Sequence, residues 1–96
     1  MSEEEVKEPL SVYALVAASL DQFVAIAWQK MGLHPDVITH KVEKDIQQAK
    51  VAIDIAARLA ESLDPVLDDD ERRRIQNLMT DLKINLVRQT QSEDKS

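Results

Sequence analysis

The sequence predicts an all-α protein built from three helices. Its 96 residues include one glycine and three prolines, so long segments lack the residues that favour turns. Apolar residues recur at helical spacing in three segments, about residues 12–31, 40–63 and 69–88. The connectors are short, so consecutive helices should be antiparallel. We expect an up-down-up bundle, or a helical hairpin plus a third helix, completed by oligomerisation.

The chain is short enough to form a single domain. We assign residues 11–89 to one helical domain, and we expect the acidic tail 1–10 and the polar tail 90–96 to be disordered. A domain of this size buries only roughly 60–65% of its unfolded surface, and the chain has no cysteine for a disulfide. Oligomerisation is one way for such a domain to gain stability.

The first helix is apolar on nearly all sides. Ser11 is a suitable N-cap, and Gly32 suits the left-handed position that ends a helix. Between Val12 and Trp28 the one charged residue is Asp21. A helix that is apolar all round has to be covered on all sides, by its own chain or by another.

Helical geometry divides this first helix into a face of large side chains and a face of small ones. The large face comprises Tyr13, Val16, Leu20, Phe23, Val24, Ala27 and Met31, and the small face comprises Ala14, Ala17, Ala18, Asp21 and Ala25, with Trp28 at its end. Small side chains let another helix approach closely, so we expect helix contacts on both sides. The pattern does not distinguish the core face from an interface. The candidates for core or interface are Ala14, Val16, Ala17, Ala18, Leu20, Asp21, Phe23 and Trp28.

Asp21 is the exception on the small face. Burying a carboxylate alone is costly, so the side chain should reach water or a cation. Lys30, Arg58, Lys83 and Arg88, of the same or a neighbouring chain, are the candidate partners. We hypothesise that Asp21 fixes the pairing of helices at an interface.

The second helix has a heptad pattern. Its apolar residues are spaced alternately four and three apart, at Val42, Ile46, Ala49, Ile53, Ala56, Ala60 and Leu63. On the other side, Lys50 and Asp54, and Asp54 and Arg58, have the spacing of intrahelical ion pairs.

Asp64 and Pro65 interrupt the chain before the third helix. Asp68 and Glu71 have the spacing of a capping box at its start. One apolar face follows, comprising Ile75, Leu78, Met79, Leu82 and Leu86. Ile84 and Val87 lie off this face, where they either meet a partner or are exposed.

The composition argues against several classes of function. A net charge of −6 disfavours a nucleic-acid binder and docking on anionic lipid. The acidic N-terminus lacks the basic region of an export signal, so we expect a cytoplasmic protein. The first helix has nearly the length of a membrane span, but Asp21 near its middle disfavours stable insertion.

No residues form a convincing catalytic, cofactor or metal site. His34 and His40 are six apart around a proline, but a structural metal site needs about four ligands. Helix capping accounts for the acidic run at residues 68–71, and a solvated helix face accounts for the basic run at residues 72–74. We therefore predict that the protein is not an enzyme and needs no cofactor.

Two elements resemble a known family. Ala49-Lys50-Val51-Ala52-Ile53-Asp54 is similar to an AKxxID element, and Leu67-Asp68-Asp69-Asp70-Glu71 is similar to a leucine, a capping residue and a later glutamate. From about Val12 to Val87 the chain resembles the small bacterial proteins of domain-of-unknown-function family 1844. The turn at residues 62–66 departs from the basic, threonine- and glycine-containing turn of that family. The matching positions are Ala49, Lys50, Ile53, Asp54 and Glu71. The resemblance implies an all-α fold in the bacterial cytoplasm and carries no known activity.

These observations favour a self-associating structural or protein-interaction module, with a homodimer as the preferred assembly. The alternative is a binder of an apolar small molecule or lipid, held between helices.

Overall fold

The computed structural model describes Pro9 and residues 11–94, and this part of the chain is all-α, as predicted. Besides one short 3-10 helix, Asp64–Val66, it has three α-helices, which we name α1, α2 and α3 in chain order: Val12–Lys30, Ile46–Leu63 and Asp69–Asp94. The described residues contain one isolated β-bridge, between Met31 and Lys44, and no strand.

The predicted limits of α1 are confirmed to within one residue. The Ser11 hydroxyl oxygen accepts a hydrogen bond from the backbone N–H of Ala14 at 3.3 Å, as an N-cap should. Gly32 follows the helix with a φ of +79°, the left-handed conformation that glycine adopts without strain. A Cβ at this position would lie 3.3 Å from the Cβ of Lys44, so the backbone there also has little space beside it.

The second helix begins at Ile46, six residues later than the predicted start at residue 40. Its N-cap is Asp45, which accepts a hydrogen bond from the backbone N–H of Gln48 at 3.1 Å. The backbone N–H of Asp45 donates to the carbonyl of Lys30 at 2.7 Å, so residues 31–45 close against the end of α1. The assignment of Val42 to the heptad pattern was therefore wrong, because Val42 lies in this connector and is exposed.

The third helix begins with the predicted capping box and is longer than predicted. The N–H of Glu71 donates to Asp68 Oδ1 at 2.8 Å, and the N–H of Asp68 donates to Glu71 Oε1 at 3.0 Å. The helix continues to Asp94, so the expectation of a disordered tail from residue 90 was wrong for residues 90–94. This stretch has no glycine or proline to end the helix, and the Thr90 hydroxyl donates to the carbonyl of Leu86 at 2.7 Å.

The core is centred on α2. Small side chains at Ala49, Ala52 and Ala56 are buried, which lets α1 approach α2 closely. The other buried residues of the core cluster are Leu20, Val24, Ala27, Met31, Ile53, Leu63, Met79 and Leu82.

The arrangement of the helices is open. The α1–α2 hairpin is extensively packed, α3 packs mainly on α2, and α1 and α3 touch over few residues. The radius of gyration is 15.8 Å, whereas a compact domain of this length has about 12.5 Å. α2 is thus the one helix with neighbours on two sides, and much of α1 is left uncovered.

Hydrogen bonds define the conformation of the connector between α1 and α2. Asp36 Oδ1 accepts from the backbone N–H groups of Ile38 at 2.7 Å and Thr39 at 3.0 Å. The backbone N–H of Asp36 donates to the carbonyl of Lys41, and the N–H of His40 donates to the carbonyl of Asp36, both at 2.9 Å. His40 itself has a φ of +59°. The connector is therefore an ordered turn built around one carboxylate.

Replacing Leu82 by alanine tests the core. Leu82 is fully buried, so we expect Leu82→Ala to lower the free energy of unfolding by about 2–5 kcal/mol through lost burial and the cavity left behind. Urea denaturation followed by circular dichroism measures the change. The matched control is Ile84→Ala on the exposed side of α3, and equal losses for the two variants would contradict the assigned core.

The ionisation of Asp36 should control the order of the connector. Hydrogen bonds from the backbone N–H groups of Thr39 and Ile38 hold the pKa of Asp36 below its ordinary value of 3.8. The stabilisation is complete above the unfolded-state pKa, and it is lost as the pH falls through the lower folded-state pKa. Amide NMR shifts of residues 38 and 39 should report this loss below pH 3.8.

The control for this titration is Asp36→Asn, which keeps an acceptor oxygen but does not ionise. Its connector signals should show no such titration, and Asp36→Ala should increase hydrogen exchange at both amides. Unchanged exchange in Asp36→Ala would mean that the turn does not depend on this carboxylate.

Candidate interaction surface

The first helix is apolar, but most of it is not covered by the rest of the chain. Only Leu20, Val24 and Ala27 of its 19 residues are buried, although the helix has a mean hydropathy of 1.3 over 18 residues. On the side away from α2 lies a surface that we call the outer face of α1, comprising Ala14, Leu15, Ala18, Asp21, Gln22, Ala25 and Ile26. All seven are exposed. The sequence predicted helix contacts on both sides of α1, and the chain provides them on one side only.

Burial distinguishes the two faces that the sequence left open. Among the candidates on the large face, Leu20 is buried, and Val16 and Phe23 are half-buried against the core. On the small face Ala14, Ala17, Ala18 and Asp21 are exposed. Trp28 is half-buried, and its ring stacks on that of His34 with 5.9 Å between the ring centroids. The large face is the core face, and the small face is free.

Asp21 has no ion-pair partner in the described part of the chain. The ion pairs there join Arg72 to Asp64 at 2.8 Å, Arg72 to Asp69 at 3.2 Å, and Arg73 to Asp70 at 4.0 Å. Neither the intrachain pairs suggested for Asp21 nor the intrahelical pairs suggested for Asp54 are formed. Asp21 is therefore a solvated carboxylate in the middle of an apolar surface.

Exposed large apolar side chains are concentrated in two segments, one at each end of α1. The first, the N-terminal patch, comprises Val12, Tyr13 and Leu15, with Val12 71% exposed. The second, the connector patch, comprises Leu33, Val37, Ile38 and Val42, with Ile38 84% exposed. With Ile26, these two patches hold eight of the twelve exposed large apolar side chains in the described residues. Exposed apolar surface is thus concentrated on α1 and the connector.

Sequence reasoning did not identify the connector patch. It assigned Val42 to a helix and treated the preceding residues as a simple linker. A signal was present, because Val37 and Ile38 are adjacent β-branched residues directly after Pro35 and Asp36. Pro35 disfavours a helix at the residue before it and Asp36 favours a turn, so the side chains of Val37 and Ile38 are expected to lie outside a regular helix.

A separate groove lies between α2 and α3. Its volume is about 630 Å³, and apolar side chains line much of it, including Ala57, Ala60, Leu67, Ile75 and Met79. Glu61, Asp64, Arg72 and Lys83 supply charged groups along it. The Arg72 guanidinium is held by Asp64 and by the carbonyls of Asp64 and Leu67. The groove is amphipathic and has room for a small ligand.

Three of the five family-motif positions have structural roles. Ala49 and Ile53 are buried in the core, and Glu71 completes the capping box. Lys50 and Asp54 are exposed on α2. In the described residues no group of three or more His, Asp or Glu side chains is placed to hold a metal ion.

The length and apolar composition of the first helix also bear on whether it can enter a membrane. Within the described residues it is the one helix long and apolar enough to cross a membrane, judged by length and composition alone. Asp21 lies near the middle of its 19 residues. A central acid costs about 2.5–3.5 kcal/mol on insertion scales.

Comparison with known proteins agrees with the resemblance seen in the sequence. The model of a domain of unknown function (DUF1844) matches residues 16–88, which is more than half of the chain. Comparisons with curated proteins and with solved structures give no match. The matched residues extend from the first turns of α1 through α2 and most of α3. The chain therefore belongs to the DUF1844 family.

Proposed function

We propose that this protein is a non-catalytic interaction module that associates with a second copy of itself through α1, in the cytoplasm. The observation that carries the proposal is the exposure of an apolar helix, of which the chain buries only three of 19 residues. Apolar surface concentrated in one region of a soluble domain is typical of a protein-protein interface.

The outer face of α1 has the pattern of a helix-pairing surface. Ala14, Ala18, Asp21 and Ala25 are spaced four, three and four apart, which places them along one stripe. Three of these four side chains are methyl groups, so a second helix could approach closely enough for its backbone to contact this stripe. The larger side chains of Leu15 and Ile26 lie beside the stripe and would extend the contact.

A second copy is the simplest partner for this face. Closed two-fold dimers are the commonest oligomers, and each copy brings the same uncovered helix. The net charge of −6 disfavours nucleic acid and anionic lipid as alternative partners. A small domain without disulfides would also gain stability from the added burial.

A charge placed in the middle of the outer face should abolish association. We expect Ala18→Glu to remain monomeric, near 10.9 kDa, where the unmodified protein has twice that mass, because the new carboxylate would be buried without a partner. Size-exclusion chromatography with light scattering, over a hundredfold range of concentration, measures the mass. The matched control is Asn77→Glu on the exposed side of α3, which should leave the dimer intact.

A monomeric mass for the unmodified protein at every concentration would contradict the proposal. Flotation with neutral and anionic vesicles would then test whether α1 enters a membrane instead. For a dimer that buries this face, we expect no flotation with either kind of vesicle.

The groove between α2 and α3 favours a second candidate function, the binding of an amphipathic small molecule. A volume of about 630 Å³ lies within the usual range for ligand pockets, about 300–1,000 Å³. An apolar chain would lie along Ile75 and Met79, and an anionic head group would reach Lys83. This function is compatible with self-association, because the groove is formed by α2 and α3, without residues of α1.

Native mass spectrometry of gently purified protein tests this second function. A bound ligand should appear as a defined additional mass, and Ala57→Phe should remove it by filling the groove. Val51→Phe, on the exposed side of α2, is the control and should keep the additional mass. Protein of bare chain mass in every preparation would contradict ligand binding.

A further inference from the structure

We propose that the groove between α2 and α3 binds a dipolar aliphatic molecule, with an ammonium group at one end and a carboxylate at the other. The ammonium group pairs with Glu61, and the carboxylate pairs with Lys83. This inference rests on the second candidate function, ligand binding in the groove, and it specifies the class of ligand.

The arginine of the groove is already occupied by the protein itself. Arg72 Nε donates to Asp64 Oδ1 at 2.8 Å, and Nη1 donates to Asp69 Oδ1 at 3.2 Å. Nη2 donates to the carbonyls of Asp64 and Leu67 at 3.1 and 3.3 Å. These bonds engage all three nitrogens of the guanidinium, which has no acceptor of its own. Arg72 and Asp64 therefore hold α2 beside α3 and do not supply a charge for a ligand.

Two further charged side chains line the groove, and they have opposite signs. Glu61 on α2 and Lys83 on α3 are exposed, and neither forms an ion pair with any residue that the structure describes. Thr80 precedes Lys83 by three residues, so its hydroxyl lies on the same side of α3 and is available to the same anion. The groove thus has one group for a cation and one for an anion.

The two charges are well separated along the groove. The bond between Arg72 and Asp64 places these two residues level with each other. The groove residues of α2 precede Asp64 and most of those of α3 follow Arg72, so the two helices run side by side from this contact. Glu61 is then opposite residues 75–76 of α3, and Lys83 lies about 10–12 Å further along. A ligand that meets both charges needs this separation between its own.

The surface between the two charges is apolar. Ala57 and Ala60 of α2 are half-buried there, as is Ile75 of α3, and Met79 is buried. A methylene chain on this surface would remove apolar area from water on both sides. The groove therefore matches a molecule whose two charged ends are joined by an aliphatic chain.

The charge of the whole protein favours a dipolar ligand over a simple anion. The net charge is −6, and the acidic first turn of α3, residues 68–71, lies toward the Glu61 end of the groove. This field repels a molecule that carries only a carboxylate. A dipolar molecule has no net charge, and it pairs with Glu61 and Lys83 at once.

Three probes of the same chain length test this proposal: ω-aminooctanoate, octanoate and octylamine. Titrations followed by the methyl NMR signals of Ile75 and Met79 give the three dissociation constants. We expect ω-aminooctanoate to bind about threefold more tightly than either of the others, because each singly charged probe lacks one exposed ion pair.

Removing each charge of the groove should affect the probes differently. Glu61→Gln should weaken ω-aminooctanoate about threefold and should not weaken octanoate. Lys83→Gln should weaken both of these probes and should not weaken octylamine. Lys50→Gln, on the exposed side of α2 and outside the groove, is the matched control and should change none of the constants.

Equal affinities for octanoate and ω-aminooctanoate at these methyl signals would overturn the dipolar class and leave ligand binding in the groove intact. An unchanged affinity for ω-aminooctanoate in Glu61→Gln would have the same meaning. If none of the probes shifts the signals, this inference is overturned. A copurified mass that Ala57→Phe removes would show in that case that the groove binds a ligand of another class, whereas bare chain mass would overturn ligand binding as well.

Discussion

The close contact between α1 and α2 is the interaction on which the rest of the structure depends. Buried alanines on α2 let the two helices approach, and Leu20 and Val24 of α1 fill the space beside them. At one end of this hairpin the connector closes through the bond from Asp45 to the carbonyl of Lys30. α3 then adds Met79 and Leu82 to a core that the hairpin has begun. Replacing these alanines by larger side chains would therefore separate α1 from α2 and disturb the core to which α3 contributes.

The α1–α2 hairpin cannot cover every side of a helix that is apolar on all sides. α2 covers the side of α1 that carries the large side chains. α3 packs on α2 and contacts α1 over few residues, so it leaves the other side of α1 uncovered. The uncovered part consists of an alanine stripe interrupted by Asp21 and bounded at both ends by larger apolar residues. These features are explained together if the second layer of the structure comes from another molecule. A homodimer of this kind would combine two open three-helix units into one closed assembly.

The sequence was sufficient to predict the helix class, both caps of α1 and the capping box of α3, because each depends on residues close together in the chain. Ser11 and Glu71 bond to groups three residues away. The start of α2 was missed although its N-cap, Asp45, accepts from the N–H of Gln48 three residues away, because the apolar spacing continues back to Val42 and periodicity alone does not show where the helix begins. Nor could periodicity distinguish the core face of α1 from its free face, because both are apolar and the choice depends on which face α2 contacts. The connector patch was missed for a related reason, since exposed aliphatic residues in an ordered loop have no periodic signal.

The one glycine of the chain has a consequence beyond ending a helix. Gly32 has a backbone conformation that other residues adopt only with strain, and a methyl group there would press on Lys44. The conformation at Gly32 thus sets the direction in which the chain leaves α1 and, with it, the position of the connector. A substitution at residue 32 would leave the composition of both exposed patches unchanged and alter the angle between them. In the proposed dimer, shape complementarity between the two copies would then be lost through a residue that need not touch the partner.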